Sequence, residues 1–402
     1  MLGRRTALLA AAVGVALIGA GCSQPTRAGA SGAALEGTRA GFGLPKATNW
    51  QIVTAPDIPG PGDLFGGVAM TGPADGWAGG YRRGSDTYPE PMISRWDGTS
   101  WHLVTLPRTI ADQLDSAGQI SASTPGNVWS WALDNNHNRY GYKLLRWDGQ
   151  TWSLPANPSL TQAEREWSHT SIAASGTNEL WIATMSRLIH VTGDSSVVVP
   201  YPAGLSRIDA IEAVAADDVW FVGMGGAKKD PVIAHWNGSR LTVMPTPPVP
   251  AVDHDDAQFW FSSFANARDG WVMGSLVKWG EDGENSVARL SWQWNGTAWT
   301  SKVVPAPPDT RGYRPLTADG NGGLWATMDD GESEVPAPPH NMWHYVPGQR
   351  WQKSIAPTWD GFNLEVHSAA MIPGTDDLFV TADLMKWTEP RQTQAVILRG
   401  TN

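Results

Sequence analysis

Residues able to do chemistry are few and scattered in this chain. The densest polar run is Asp253-His254-Asp255-Asp256, whose carboxylates and imidazole suit a hard or borderline cation. Its spacing matches no calcium loop, and adjacent side chains cannot all reach one ion. It reads as a solvated acidic turn, and no metal site is expected. Trp167, Trp279, Trp359 and Trp387 each stand near Arg, Glu or Asp and are candidate platforms for sugar rings or a protein partner. His169, Arg311, Arg314 and His367 are further ligand-binding candidates. No Gly-x-Ser-x-Gly elbow, His-Glu-x-x-His pair or phosphate loop is present. Glycoside hydrolysis needs two carboxylates at a set separation, which the order of residues along a chain does not fix. No catalytic residue is assigned and no cofactor is implied.

Cys22 is the only cysteine, so the chain can form no internal disulfide and no thiolate metal cage. It follows Arg4 and Arg5, an apolar run from Ala7 to Ile18, and the small residues Gly19, Ala20 and Gly21. That run is too short to span a bilayer, which takes roughly 20 residues. With its charged start and small-residue end, residues 1–21 read as a signal peptide. The segment resembles the lipobox of bacterial lipoproteins, which implies lipid attachment at Cys22 and a place on the outer face of the cytoplasmic membrane or elsewhere at the cell surface. Residues 22–45 would then be the lipidated cysteine and a flexible tether, because Gly, Ala, Ser and Thr there cannot bury enough surface to offset ordering.

The elements that must position the candidates follow from a repeat. The chain holds 23 tryptophans, and most fall in a recurring unit. Its first half is a polar turn followed by an aromatic anchor and an apolar run, with anchors at Trp77, Trp129, Trp181, Trp220, Trp271, Trp325 and Phe379. Its second half is a hairpin: Trp96-Asp97-Gly98-Thr99-Ser100-Trp101 returns as Trp147-Asp148-Gly149-Gln150-Thr151-Trp152 and as Trp294-Asn295-Gly296-Thr297-Ala298-Trp299. Asp-Gly and Asn-Gly between aromatic, β-rich runs mark tight turns, since Gly accepts positive φ. Four short strands need about 40 to 50 residues, the size of a propeller blade. Residues 46–402 are therefore expected to be all-β, a seven-bladed β-propeller. The last repeat lacks a Trp-bearing outer strand, and Asn49-Trp50-Gln51-Ile52 matches Ser100-Trp101-His102-Leu103 in register. An N-terminal strand should thus complete the last blade and remove an open sheet edge.

The glycine pair after the Trp77 strand, the later aromatic and the trailing Trp resemble a kelch repeat and the central propeller of galactose-oxidase-like proteins. Only Gly79-Gly80 and Gly225-Gly226 carry the pair. The galactose-oxidase copper site needs a Cys cross-linked to Tyr, and a lone cysteine at position 22 cannot supply it. Sialidase chemistry needs an arginine triad, for which no signature is recognisable. Loops between Tyr81 and Pro91, Asp134 and Tyr142, Asn157 and Thr170, Thr246 and Gln258, Leu276 and Ser286, Asp329 and Asn341, and Thr358 and Glu365 are expected to rim the channel and carry the candidates.

The formal charge is −10, or −12 once Arg4 and Arg5 leave with the signal. Such an acidic body lacks the basic footprint nucleic acid requires and would hold to a membrane only through its lipid. The reading is a lipid-anchored binding or scaffold module for a cell-envelope glycan, a peptide or an exported protein. A polysaccharide-active hydrolase or lyase working at a channel mouth is the alternative.

Overall fold

The computed structural model describes residues 49–53, 63–83, 89–135, 141–156, 159, 171–226, 230–249, 257–265, 270–280, 283–302, 312–329, 341–348, 351–354, 363–386 and 392–401. They form seven four-stranded antiparallel sheets, each a meander running outward from the ring axis. From first to fourth strand, blade 1 is Leu64–Gly72, Asp75–Arg83, Pro89–Trp96 and Trp101–Leu103. Blade 2 is Leu114–Thr124, Asn127–Asp134, Gly141–Trp147 and Trp152–Ser153. Blade 3 is Ser171–Ser175, Glu179–Ala183, Leu188–Thr192 and Ser195–Val199. Blade 4 is Arg207–Ala215, Asp218–Gly225, Asp230–Trp236 and Leu241–Val243. Blade 5 is Ala257–Ala265, Trp271–Gly280, Gly283–Trp294 and Trp299–Ser301. Blade 6 is Gly312–Ala318, Leu324–Asp329, Asn341–Tyr345 and Gln352–Ser354. Blade 7 is Asn363–Met371, Leu378–Lys386 and Gln392–Thr401, completed by Asn49–Ile52. Each first strand touches the first strands of its neighbours, and blade 7 touches blade 1, so the ring closes.

The tryptophans fill the seams. The anchor of one blade meets aromatics from the third and fourth strands of the next. Trp77 packs against Trp147 and Trp152, with ring centroids 5.4 and 5.3 Å away. Trp220 meets Trp294 and Trp299 in the same way, and Phe379 meets Trp96 and Trp101. Blade 3 departs from the pattern. Its fourth strand, Ser195–Val199, brings no tryptophan, and Leu180 and Val191 lie against Trp129 instead.

The expected closure is present. Trp50 pairs with Gly400, where a side chain would collide with the indole at 2.9 Å. The indole stands edge-on to Trp325 of blade 6, at 6.1 Å and 82°, and its Nε1–H donates to Ser354 Oγ at 2.9 Å. Glycine pairs likewise mark close approaches. A Cβ on Gly79 would lie 2.4 Å from Ala117 O of blade 2, and one on Gly80 would lie 2.0 Å from Leu64 O. The Leu276 to Ser286 segment, expected as a loop, is instead a hairpin: Leu276 pairs with Ala288 and Trp279 with Glu284. The strand alternation there simply runs on to the tip.

Replacing Trp50 by Ala removes the ring and leaves the Ser354 hydroxyl buried. The expected loss is about 3 to 5 kcal/mol of unfolding free energy in urea melts, against about 1 kcal/mol for Ser354→Ala. An unchanged midpoint for Trp50→Ala would show that the N-terminal strand does not hold the ring.

Candidate functional site

The meander sorts the connections into two ends. Turns from first to second strand and from third to fourth lie at one end, and most of the described ones are short. There Asp97 Oδ1 accepts the Thr99 and Ser100 N–H groups at 2.8 and 2.9 Å, and Gly98 takes φ +99°. Asp148, Asn237 and Asn295 repeat this turn. These bonds hold the Asp97 carboxyl well below the usual carboxylate range. The opposite end receives every connector between second and third strands and between blades, including all the long segments. It is the connector end.

Most charged pairs belong to the turn end and to packing. Asp75 receives Arg95 at 2.8 Å, and the guanidinium lies 4.9 Å over the Trp77 ring. Asp218 pairs with His235, Glu179 with His190, Asp319 with His344 and Asp377 with Arg399. His190 stacks on Trp181 at 4.0 Å and His344 on Trp325 at 4.2 Å. One carboxylate and one Arg or His thus flank each of these anchors, a structural role repeated round the ring.

The pair His367–Asp383 breaks that rule. It sits at the connector end, at the seam between blades 7 and 1. His367 occupies a bulge between Val366 and Ser368 on the first strand, so it leaves the ladder, and a bulge re-aims a side chain. Its Nε2 is 2.6 Å from Asp383 Oδ2; the imidazole is 24% exposed and the carboxylate 2%. Asp383 faces Glu365 across the sheet. From blade 1 comes Asp63, whose Oδ1 accepts the Arg83 N–H at 2.7 Å. Burial raises its pKa against the smaller opposing pull of that bond and of Arg82. Tyr81 is close enough for Asp383, Arg83 and Asp63 all to act on its hydroxyl, whose pKa is raised chiefly by burial and next by Asp383. This seam brings an imidazole, a phenol and two buried carboxylates together. Across the ring, blade 4 sets Arg207 and the bulged Asp209 at the same end, 2.6 Å apart.

Of the residues singled out from sequence, His367 alone has a described side chain, and it lies in this seam. Trp279 is placed one pair from the tip of the blade 5 hairpin, and Arg314 opposite Thr327 on the first strand of blade 6, both toward the connector end. Trp167, His169, Arg311, Trp359, Trp387, Cys22 and the Asp253–Asp256 run lie outside the described residues. Among the described residues, no group of three or more His, Cys, Asp or Glu is arranged to hold a metal ion, and no helix is long and apolar enough to cross a membrane.

Asp63, Tyr81 and Asp383 were not singled out. Asp383 had a signal, a carboxylate within the apolar run Leu378-Phe379-Val380-Thr381-Ala382-Asp383-Leu384. Glu212 had the same one. It pairs with the anchor Trp220, where the other blades place Ala69, Ser121, Ala173, Ala265, Thr317 and Ala370. Ala210 and Val214 flank it, and the blade 5 strand it faces has no titratable residue in its sequence. Desolvation raises its pKa to about 7.

No protein-family model and no curated protein matches the chain. Solved structures do. A GH74 xyloglucanase from Xanthomonas campestris is 15% identical, with a TM-score of 0.51 over 87% of this chain and 55% of that one. This chain therefore spans about half of that enzyme's length. The BP39L lectin from Burkholderia pseudomallei is 10% identical, with a TM-score of 0.48 over 88% of this chain and 100% of that one. The β-propeller domain of the Trilobed protease from Pyrococcus furiosus is 9% identical, with a TM-score of 0.44 over 82% and 97%. At such identities the likeness shows the β-propeller fold alone.

Glu212 gives a prediction with a definite sign. Its folded pKa, about 7, stands above the ordinary 4.5, so folding favours the protonated form. The stability it contributes is full below about pH 4.5 and is lost as pH rises through 7. Glu212→Gln should flatten the urea midpoint between pH 4.5 and 8, sparing between about 1 and 3 kcal/mol of that loss. Parallel pH curves for the two proteins would refute the assignment.

Proposed function

We propose that the protein is an exported, lipid-anchored propeller that binds or scaffolds a cell-envelope glycan, a peptide or another exported protein at its connector end. The observation that carries this reading is the segregation of the connections. The turn end is made largely of short turns, several of them locked by their own Asp or Asn. The connector end receives all the long, dissimilar segments, with Trp167, Trp279, Trp359 and Trp387 in or beside them. A rigid ring presenting variable aromatic-bearing loops is suited to recognition. The lipobox-like segment ending at Cys22 supports an address outside the cytoplasm.

One observation favours the rival, a polysaccharide-active enzyme: His367 held by a buried Asp383 beside Tyr81. A carboxylate that fixes an imidazole supports proton transfer. Two carboxyls flanking a glycosidic bond at a suitable separation would be needed as well.

Immobilised envelope polysaccharides and defined peptide arrays separate the two. Saturable binding without product release, lost in Trp279→Ala and Trp359→Ala at unchanged melting temperature, is the expected result. New reducing ends or unsaturated products that vanish in His367→Ala would establish the enzyme instead. For the address, Cys22→Ser should move the protein from the membrane to the soluble fraction and abolish lipid labelling. Retention of both would remove the lipid from the proposal.

A further inference from the structure

Asp63 is 2% exposed, and only one of its carboxylate oxygens is used, by the Arg83 N–H. Its Oδ2 is buried with no hydrogen-bond partner among the described residues. A buried carboxylate oxygen left so is costly, and folded proteins rarely keep one without a reason. Of the described cations nearby, Arg82 bonds to Glu90 at 3.2 Å and Arg83 is exposed. The field of Arg82 reaches Asp63, but its guanidinium is engaged elsewhere. Asp383, paired with His367, adds a second buried carboxylate, and the Tyr81 hydroxyl lies within the fields of both acids. Tyr81, Glu365 and His367 are partly exposed and mark the approach from the connector end.

We infer that this seam between blades 7 and 1 is a slot for one basic side chain, lysine or arginine, of a polypeptide ligand, with Asp63 as its counter-ion and Tyr81 as its wall. The inference rests on the binding reading above and names its ligand chemistry. Depth selects the side chain. The Asp63 carboxylate lies behind the surface, so the cation must arrive on a thin apolar stem, as in lysine and arginine. An amino sugar carries its nitrogen directly on the ring, which cannot follow it in. The ring of Tyr81 suits both the stem and the cation. An acidic body of net charge −10 draws basic ligands from solution.

The test uses the full-length protein and three capped pentapeptides, Gly-Gly-X-Gly-Gly with X as lysine, arginine or norleucine, titrated by calorimetry. The lysine and arginine peptides should bind saturably and the norleucine peptide should not. Asp63→Asn keeps the acceptor for Arg83 and should weaken binding by more than about tenfold. Tyr81→Leu should weaken it as well. Asp194→Asn removes an equal charge from a side chain that is 98% exposed at the turn end, and should change nothing. Melting curves confirm that each variant folds. Equal binding of all three peptides, equal loss in Asp63→Asn and Asp194→Asn, or no loss in Asp63→Asn overturns the slot. If the slot fails while an envelope glycan or array peptide still binds the connector end, the binding module stands without it. If no ligand binds there at all, both fall.

Discussion

At six of the seven seams, among the described residues, an aromatic anchor of one blade is met by an aromatic carried on the outer strands of the next. This contact, edge-on at five of those seams, is what the ring depends on. A four-stranded sheet this small buries too little surface to stand alone, and each indole pressed into a seam removes on the order of 150 to 250 Å² from water. The contact also sets the angle between sheets, because an edge-on ring needs its partner's face at a fixed height. The chain has no disulfide to share that work. Basic side chains of the third strand complete the arrangement: Arg95, His190, His235 and His344 lie against the anchors of their own blades. Their partner carboxylates fix them there. The repeated histidines therefore belong to the frame, and position alone distinguishes them from His367.

The frame divides the molecule by its connectivity. An antiparallel meander in every blade puts two of each four connections at the turn end and two at the connector end. The turn end is spent on closing hairpins, and the Asp-Gly turns do so with no freedom left to vary. Bulges on the first strands lie in the half of the sheet nearer the connectors in blades 4 and 7, at Asp209 and His367. Both lift a polar residue out of the ladder where recognition is possible. The frame leaves sequence freedom to vary at one end of the ring before any particular residue is considered.

The sequence made the frame legible and the seam site much less so. Anchors recur at a readable interval, Asp-Gly turns announce themselves, and Asn49–Ile52 matched the missing outer strand residue by residue. All of these are local patterns repeated. The Leu276 to Ser286 segment misled because its polar residues broke the repeat without breaking the strand. The seam cluster is different in kind. Asp63 and Asp383 are separated by nearly the whole propeller, and only closure of the ring brings them together. His367 stood out as a polar residue, but nothing near it named its partner. A carboxylate inside an apolar alternation, as at Asp383 and Glu212, is the one trace such a site leaves in a single sequence.

Closure and the proposed slot meet at the same place. Blade 7 is completed by Asn49–Ile52, and ten residues after Val53 the chain supplies Asp63 at the seam with blade 1. Any group that touches both Asp63 and Asp383 bridges the first blade and the last. Such a group binds the closed ring and has no equivalent site once the seam opens. By linkage its binding adds RT ln(1 + [L]/Kd) to the stability of closure, over and above the Trp50 clasp. Blade 7 is the one blade assembled from both ends of the described chain, Asn49–Ile52 pairing with Gln392–Thr401, so a group held between Asp63 and Asp383 acts on the same closure as the Trp50 clasp.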